Sequence, residues 1–202
     1  VTPSARKWRY RSLAYPERLI LRAVHSRGPR ARGCPRRPSA PGLTVQGPRT
    51  SGEVEFVLFV ANGQIFVAVG SDHTDRELEK SDIARSKQAC VKPVASEVWR
   101  YEDLTGHWDS LILRSWITDA KGKTIYQQGE VTALLPVPDL LKVIKRETDR
   151  PLEGAVIFSG TIPVHGGFNY ATVWDIELED PVLGRRISHH YELTVLEEEM
   201  KA

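Results

Sequence analysis

Hydrophobic residues in the middle of the chain form short continuous runs that are typical of β-strands. The densest apolar run, Val54–Ala61, is rich in β-branched and aromatic residues, and Asn62-Gly63 separates it from a second run, Gln64–Val69. Asn-Gly is the strongest short signal for a two-residue hairpin, because both positions of a type I′ turn need positive φ. The pattern therefore predicts an antiparallel hairpin over residues 54–69.

The rest of the chain beyond residue 50 predicts further strands and two helices. One helix is expected over about Arg76–Gln88, and a shorter one over Pro138–Glu147, where Leu140, Leu141 and Ile144 share one face. Apolar segments bounded by Gly- and Pro-containing loops predict strands at 108–118, 124–135, 155–159, 171–178 and 188–196. The predicted fold class is α+β, dominated by strands.

Residues 1–50 differ sharply in composition from the rest of the chain. They hold 12 of the 28 Lys+Arg residues, a single acid (Glu17) and 7 of the 13 prolines, whereas residues 51–202 hold 16 basic and 25 acidic residues. The stretch Gly28–Pro38 has no apolar period, and such a sequence buries too little surface to offset its ordering entropy. We expect residues 1–50 to be a basic, disordered or irregular segment, and residues 51–202 to form the folded domain.

The basic segment leaves two functional interpretations open. It is either an arm that binds nucleic acid or another polyanion, or a tail without a specific partner. No aromatic residue occurs between Tyr15 and Phe56, so nothing there can stack on bases. A nucleic-acid partner is therefore not expected.

Composition narrows the remaining classes of protein. A hydrophobic fraction of 41% suits a chain with a real core. Cys34 and Cys90 lie far apart in no metal or redox spacing, which favours a reducing compartment over a disulfide scaffold. The longest uninterrupted apolar run, Phe56–Ala61, is far too short to cross a bilayer. We expect a soluble cytoplasmic protein without a membrane partner.

The register of the hairpin brings three acidic residues together. With Asn62 and Gly63 as the loop residues, Glu55 faces Gly70 and Glu53 faces Asp72. Side chains alternate along a strand, so the three carboxylates share one face, and directly opposed side chains lie about 5 Å apart. Three like charges so close together are costly unless they are compensated.

Two forms of compensation are open. A divalent cation such as Mg, Mn or Ca is held by carboxylate oxygens, and Gly70 opposite Glu55 favours this option by leaving room for an ion. Alternatively, the end of the hairpin frays into water and the acids separate. The register alone does not choose between these alternatives.

Four segments, taken in chain order, resemble the fumarylacetoacetate hydrolase superfamily. Glu53-Val54-Glu55 resembles its E-x-E pair, and Ser71–Arg76 is similar to its N-D-x-[ST]-x-R. Ser86–Ala95 is similar to G-K-S-F-D-x-x-x-P-x-G, and Gly154–Thr161 looks like G-D-V-I-x-T-G-T. The resemblance covers residues 51–196 and is closest to an uncharacterised bacterial branch of the superfamily.

The resemblance implies a fold and a set of site residues. It implies a catalytic domain over residues 51–202, folded as a mixed β-sheet roll with a few short helices, and a homodimer. It also implies that Glu53, Glu55 and Asp72 are the metal ligands. The resemblance implies substrate binding by Lys87, Thr161 and the adjoining Gly160, with Lys87 also catalytic. Arg76 is expected to bind a substrate carboxylate or to neutralise the acidic cluster. Ser71 stands where the family has Asn, and the basic segment stands where family members carry an ordered portion that often includes a lid.

Each of these residues also has a plainer interpretation. Lys87 is otherwise a solvated helix lysine, Thr161 a residue that caps a turn at a strand end, and Arg76 a member of a surface ion pair. His165, in a Gly-containing loop just beyond Thr161, is the best candidate for the base that activates water. His73 adjoins Asp72, but strand alternation points it away, so we expect it to be structural.

The function that follows is a metal-dependent enzyme acting on a small 2-oxo or 1,3-dioxo acid. Hydrolytic C–C bond cleavage through a metal-stabilised enolate is the expected reaction, and related decarboxylase, hydratase or isomerase chemistry is the alternative. Two further alternatives are a non-catalytic binding module with a basic N-terminal arm and an inactive relic of the enzyme. The sequence does not choose the substrate or the cation.

Overall fold

The structure is a computed structural model that describes residues 43–196. Within this range three helices accompany the strands, and they are α1 (Arg76–Glu79), α2 (Ile83–Gln88) and α3 (Val137–Glu147). Single 3₁₀ turns occupy Tyr101–Leu104, Trp108–Ser110 and Val131–Ala133. The strands are β1 (Leu43–Val45), β2 (Thr50–Ser51), β3 (Val54–Ala61), β4 (Gln64–Ser71), β5 (Thr74–Asp75), β6 (Trp99–Arg100), β7 (Ile112–Asp119), β8 (Gly122–Glu130), β9 (Val156–Phe158), β10 (Val173–Asp180) and β11 (Arg185–Val195).

These strands form two larger sheets and one small one. The five-stranded sheet has the order β1-β11-β10-β7-β8, and its β1–β11 pair is parallel while the other pairs are antiparallel. The four-stranded sheet has the order β6-β4-β3-β9 and is antiparallel throughout. Strands β2 and β5 form the two-stranded sheet. The architecture is therefore α+β and strand-dominated, as predicted.

The main core lies between the two larger sheets. Phe56 and Leu58 of β3 face this core, together with Trp174, Ile176 and Leu178 of β10, and all five are essentially inaccessible to water. Because side chains alternate along β3, its other face carries the odd-numbered residues. Glu55 of β3, and Glu53 directly before the strand, therefore lie on the side that faces away from the main core.

The predicted hairpin is confirmed in register and in turn type. Val54 pairs with Ser71, Glu55 with Gly70 and so on to Ala61 with Gln64. Asn62 and Gly63 both have positive φ, 54° and 69°, as a type I′ turn requires. The carboxylate of Glu153 accepts hydrogen bonds from the backbone N–H groups of both turn residues, which anchors the turn to the loop before β9.

The helix predicted over residues 76–88 is instead two short helices. Asp75 caps α1 by accepting from the N–H groups of Glu77 and Leu78, and Asp82 caps α2 by accepting from Arg85. A second N-cap in the middle of a helical pattern starts a new helix, because the capping side chain takes up an N–H that would continue the first one. The strand predicted from residue 108 likewise begins at residue 112, after a 3₁₀ turn.

Helix α3 agrees with the prediction and is the longest helix of the described residues. It buries Val137, Leu140 and Ile144 along one face. No helix within residues 43–196 is both long enough and apolar enough to cross a membrane.

The segment predicted to be irregular contains two short strands within the described residues. Leu43–Val45 pairs in parallel with β11, Thr50 belongs to β2, and Val45 is 1% exposed. The prediction was wrong for these residues, because a three-residue strand carries too little pattern to be recognised and forms only where a neighbouring strand offers its edge. Residues 1–42, which hold most of the basic segment, lie outside the described residues.

Candidate metal centre

Three carboxylates meet at the open end of the hairpin. One oxygen each from Glu53, Glu55 and Asp72 lies within 4.8 Å of the others. Glu53 and Asp72 continue the β3–β4 ladder by one pair beyond its last strand residues, since the N–H of Asp72 donates to the carbonyl of Glu53 at 2.9 Å. The proximity that the turn register predicted is therefore present in the structure.

Two lysines compensate part of this charge. Lys87 Nζ forms an ion pair with the carboxylate of Glu53, lies 2.8 Å from Asp72 Oδ2, and donates to Thr74 Oγ1. Lys92 Nζ lies 2.7 Å from Asp72 Oδ1 and donates to the carbonyl of His73. Glu53 and Asp72 are thus neither frayed into water nor left without cations, which is a third form of compensation beside a bound metal ion and exposure to water.

Arg76 provides the third cation of the cluster. Its Nη2 lies 3.0 Å from Glu53 Oε1, its Nε donates to Ser51 Oγ at 2.6 Å, and its Nη1 lies 2.8 Å from Glu79 Oε2. The ring of Phe168 covers the guanidinium at 4.2 Å. The side chain is 3% exposed, so the interpretation as a surface ion pair is wrong, and Arg76 neutralises the cluster.

The three acids respond differently to these cations. Glu55 is 2% exposed, accepts a hydrogen bond from the N–H of Gly160 at 2.8 Å, and has no ion pair within the described residues. Burial, followed by the charges of Asp72 and Glu53, raises the pKa of Glu55 well above its ordinary value. Burial acts in the same direction on Glu53, but the nearby Lys87 and Arg76 outweigh it and lower the pKa of Glu53.

This donor set fits a divalent cation. All three side chains offer carboxylate oxygens, the ligands that Mg²⁺, Mn²⁺ and Ca²⁺ prefer. Glu55 is a buried carboxylate that forms no ion pair within residues 43–196, although the charge of Lys87 acts on it from further away, and a buried charge is costly until a cation is placed beside it. The residues that would hold the ion are Glu53, Glu55 and Asp72.

The space opposite Glu55 is not where an ion would lie. A Cβ added to Gly70 would meet Val57 Cγ2 at 2.6 Å, a ring carbon of Phe158 at 3.1 Å and the carbonyl of Pro93 at 3.2 Å. The argument that Gly70 leaves room for an ion was therefore wrong, because packed side chains and backbone fill that room. Glycine is needed there for close packing of the sheet.

The Gly160–Thr161 segment lies beside the cluster, but its groups are used within the protein. Thr161 Oγ1 donates to the carbonyl of Val54 at 2.9 Å and accepts from Gln127 Nε2 at 2.8 Å. In this arrangement its proton is already engaged, so Thr161 holds the segment against β3 while Gly160 binds Glu55. Direct contact of either residue with substrate stays a prediction.

The two histidines named from the sequence differ in environment. His73 is fully buried between Tyr191 Oη at 3.2 Å and Thr50 Oγ1 at 2.9 Å, and burial, with Lys92 and Arg76 nearby, lowers its pKa to about 3. It is a neutral structural group at neutral pH. His165 lies exposed in a loop, and no hydrogen bond or ion pair within residues 43–196 joins its imidazole to the cluster. Its catalytic role stays a prediction.

Sequence reasoning missed two residues that contact the site. Lys92 binds Asp72, and Gln127 holds the backbone of Val54 through a hydrogen bond to its N–H. For Lys92, the sequence indicated only the extended backbone that is expected before a proline, here Pro93. It gave no indication of a contact with Asp72. Gln127 follows Tyr126, and both are buried because a bulge in β8, opposite Ser115/Trp116 of β7, interrupts the alternation.

Comparison of the sequence with models of protein families gives a match that covers most of the chain. The family model described as "protein of unknown function (DUF2848)" matches residues 36–191. The chain belongs to the DUF2848 family. The match begins before residue 51 and so includes β1 and β2, in agreement with their place in the sheets. A comparison with curated proteins gives no match.

Solved structures show the same fold in proteins of distant sequence. Cg1458 superimposes with a TM-score of 0.59 at 16% identity, over 77% of this chain and 64% of that one. A crystal form of 2-keto-3-deoxyarabinonate dehydratase superimposes with a TM-score of 0.56 at 15% identity, over 78% of this chain and 56% of that one. The DUF2848 chain thus spans less than two thirds of each of these proteins.

These likenesses establish the fold of the DUF2848 chain. Both solved proteins have folds of the fumarylacetoacetate hydrolase type, and the present structure shares that architecture. The fold implied by the four sequence segments is therefore confirmed. At 15–17% identity the likeness shows the fold alone.

Proposed function

We propose that this protein is a metal-dependent enzyme that acts on a small 2-oxo or 1,3-dioxo acid, with hydrolytic C–C bond cleavage as its reaction. The observation that carries the proposal is the meeting of Glu53, Glu55 and Asp72 within 4.8 Å, with Glu55 buried and unpaired among the described residues. One structural neighbour is a 2-keto-3-deoxyarabinonate dehydratase, which supports a small oxo acid as the class of substrate.

The three acids would hold a divalent cation, which supplies Lewis-acid polarisation of a substrate carbonyl when bound. Lys87 is the cation placed to act on substrate, because its ammonium lies at the cluster and its side chain is 19% exposed. Burial lowers the pKa of Lys87, but Glu53, Asp72 and Glu55 outweigh burial and raise it, so the amine stays charged. It is placed to bind a substrate carboxylate or to stabilise a developing enolate oxygen.

The remaining steps use the loop beyond Thr161. In the proposed reaction a base removes a proton from water, the resulting oxygen adds to one carbonyl, the C–C bond breaks, and the departing carbon keeps the electron pair as an enolate that is then protonated. His165 is our candidate base, and Gly166 and Gly167 beside it both have positive φ, 72° and 96°. These conformations favour glycine and shape the loop at this point.

Calorimetric titration with Mn²⁺ and with Mg²⁺ tests the metal centre directly. Wild-type protein should bind one ion, and the double variant Glu53→Ala with Asp72→Ala should show no measurable binding, because two of three ligands are gone. Glu77→Gln is the matched control, since Glu77 is an exposed carboxylate on α1 that pairs with Lys80 and Arg49. Its ion binding should equal that of the wild type. Equal binding by the double variant and the wild type would overturn the proposal.

Turnover measured with a panel of 2-oxo and 1,3-dioxo acids then distinguishes an active enzyme from an inactive relic of one. Turnover with Mn²⁺ or Mg²⁺ that is lost in Lys87→Met, while ion binding persists, is the result expected of the enzyme. Ion binding without turnover of any acid in the panel would contradict the enzymatic part of the proposal.

A further inference from the structure

One buried amide joins three separate parts of the chain next to the candidate metal centre. Gln127 of β8 is inaccessible to water, and its amide makes four hydrogen bonds. Its Oε1 accepts from the N–H of Val54 at 2.9 Å and from Ser115 Oγ at 3.0 Å. Its Nε2 donates to Thr161 Oγ1 at 2.8 Å and to the carbonyl of Ile162 at 2.7 Å. Both acceptor sites and both donors of the amide are therefore used.

The acceptor side of this amide holds the backbone between two candidate metal ligands. Val54 stands between Glu53 and Glu55, so fixing its N–H fixes the peptide from which both carboxylates project. Strand β9 pairs with β3 only from Val57 to Phe59. At the start of β3, the Gln127 side chain thus takes the place of a neighbouring strand.

The donor side of the amide reaches one of these ligands, Glu55, through a second route. Gln127 Nε2 binds Thr161 Oγ1, which donates to the carbonyl of Val54, and the adjacent Gly160 N–H donates to Glu55 Oε2. A closed ring of contacts then runs from Gln127 through Val54, Glu55, Gly160 and Thr161 back to Gln127.

We propose that Gln127 is a positioning residue that sets the spacing of Glu53 and Glu55 for a divalent cation. The inference rests on the proposed function, because it concerns the same metal centre. Only a side chain with an acceptor and two donors at one end satisfies all four partners. Partners that orient metal ligands typically contribute 10- to 100-fold to metal affinity.

The test measures affinities for Mg²⁺ and Ca²⁺ by calorimetry on the full chain of the wild type, Gln127→Glu and Gln127→Met. Gln127→Glu loses both donors, and Gln127→Met loses every polar contact at similar volume. We expect each variant to bind Mg²⁺ about 10- to 100-fold more weakly. We also expect a shift of preference towards Ca²⁺, because Mg²⁺ demands near-ideal octahedral geometry while Ca²⁺ tolerates looser sites.

The ratio of the two affinities separates positioning from a merely structural role. Partial unfolding lowers the binding of both ions by the same factor and leaves their ratio unchanged, whereas a change in ligand spacing alters the ratio. Ser115→Ala is the matched control, since it removes one bond to the same Oε1 but leaves the bonds of Gln127 to Val54, Thr161 and Ile162 in place. It should leave the ratio unaltered.

Variants of Thr161 keep the test decisive if the Gln127 variants do not fold. Thr161→Val removes the second route to Glu55 and should shift the ratio in the same direction, and Thr161→Ser keeps the hydroxyl and should restore the wild-type value. An unchanged ratio in the folded Gln127 and Thr161→Val variants, with normal ion binding by the wild type, would overturn this inference alone. A wild type that binds neither ion would overturn the proposed function as well.

Discussion

At the scale of single residues, Glu55 differs from the other acids of the cluster. Glu53 lies beside Arg76 and Lys87, whereas Glu55 has one backbone hydrogen bond and no ion pair among the described residues. Burying a charge without a cation beside it costs free energy. Glu55 therefore lowers the stability of the metal-free protein and increases the attraction of the site for a cation.

Replacing each glutamate by glutamine should have opposite effects on metal-free stability. With a chelator at neutral pH, Glu55→Gln should raise the free energy of unfolding by about 1 kcal/mol or more, because Gln still accepts from Gly160 but carries no charge. Glu53→Gln should lower it by about 1–3 kcal/mol, since Arg76 and Lys87 lose a carboxylate partner. Urea denaturation measures both values. Destabilisation by Glu55→Gln would show that its charge is compensated.

The acidic residues of the site were named from the sequence together with three of their partners, Lys87, Arg76 and Gly160, but Lys92 and Gln127 were not. One turn, Asn62-Gly63, fixes the register that brings Glu53 and Glu55 to Asp72, and this is a local rule. Lys92 reaches Asp72 by way of a loop, and Gln127 reaches Val54 from another sheet, so neither contact follows from spacing along the chain.

At the scale of elements, one buried carboxylate fixes the turn between β10 and β11 to a distant loop. Asp180 Oδ2 lies 3.0 Å from His107 Nε2 and 2.9 Å from Arg185 Nε, and its Oδ1 accepts from the N–H of Leu183 at 3.1 Å. Burial raises the pKa of Asp180, but these hydrogen bonds outweigh it and hold the pKa below the ordinary value.

Asp180→Asn should destabilise the protein at neutral pH by about 2 kcal/mol, because Arg185 and His107 lose their charged acceptor. A carboxylate with a lowered pKa stabilises the fold above its unfolded-state pKa of 3.8 and loses that contribution as the pH falls through the lower folded-state value. The difference between wild type and variant should therefore shrink below about pH 4, measured by urea denaturation across pH.

Asp119→Asn is the control for this prediction, since Asp119 accepts from a backbone N–H in the exposed β7–β8 turn. It should change stability by less than about 0.5 kcal/mol at each pH. A constant difference between Asp180→Asn and wild type down to pH 2 would contradict the assigned role.

Elements were predictable to the extent that they carry a strong local pattern. The hairpin and α3 combine a clear period with turn or capping signals. Residues 76–88 form two helices because Asp82 caps the second one. The helical pattern continues through Asp82, so the pattern alone did not indicate this break. Strands of two or three residues, such as Leu43–Val45, exist only because a longer strand lies beside them.

At the scale of the whole molecule, the folded part of the chain reaches further towards the N-terminus than composition indicated. Strand β1 extends the five-stranded sheet, and Arg49 pairs with Glu77 of α1. The change from basic to acidic composition near residue 50 is therefore not the boundary of the fold. Net charge reports on solubility and partners and does not define where a domain begins.

Val45→Ala tests whether β1 contributes to this sheet. Val45 is 1% exposed, so its truncation should cost about 1–3 kcal/mol through lost burial and a residual cavity. Thr44→Ala, at the exposed neighbouring position of the same strand, should cost less than about 0.5 kcal/mol. Equal stability of both variants, followed by urea denaturation, would show that β1 does not stabilise the fold.

The position of the charged residues along the chain has a consequence for biosynthesis. Glu53, Asp72, Arg76, Lys87 and Lys92 belong to one uninterrupted stretch, and short loops close at little entropic cost. Contacts of low sequence separation form early, whereas Gly160 and Gln127 must dock from far along the chain. A nascent polypeptide that has left the ribosome as far as Pro93 already contains these acids together with the lysines and the arginine that pair with them, so the cations that relieve the repulsion emerge before the remaining half of the protein has been synthesised.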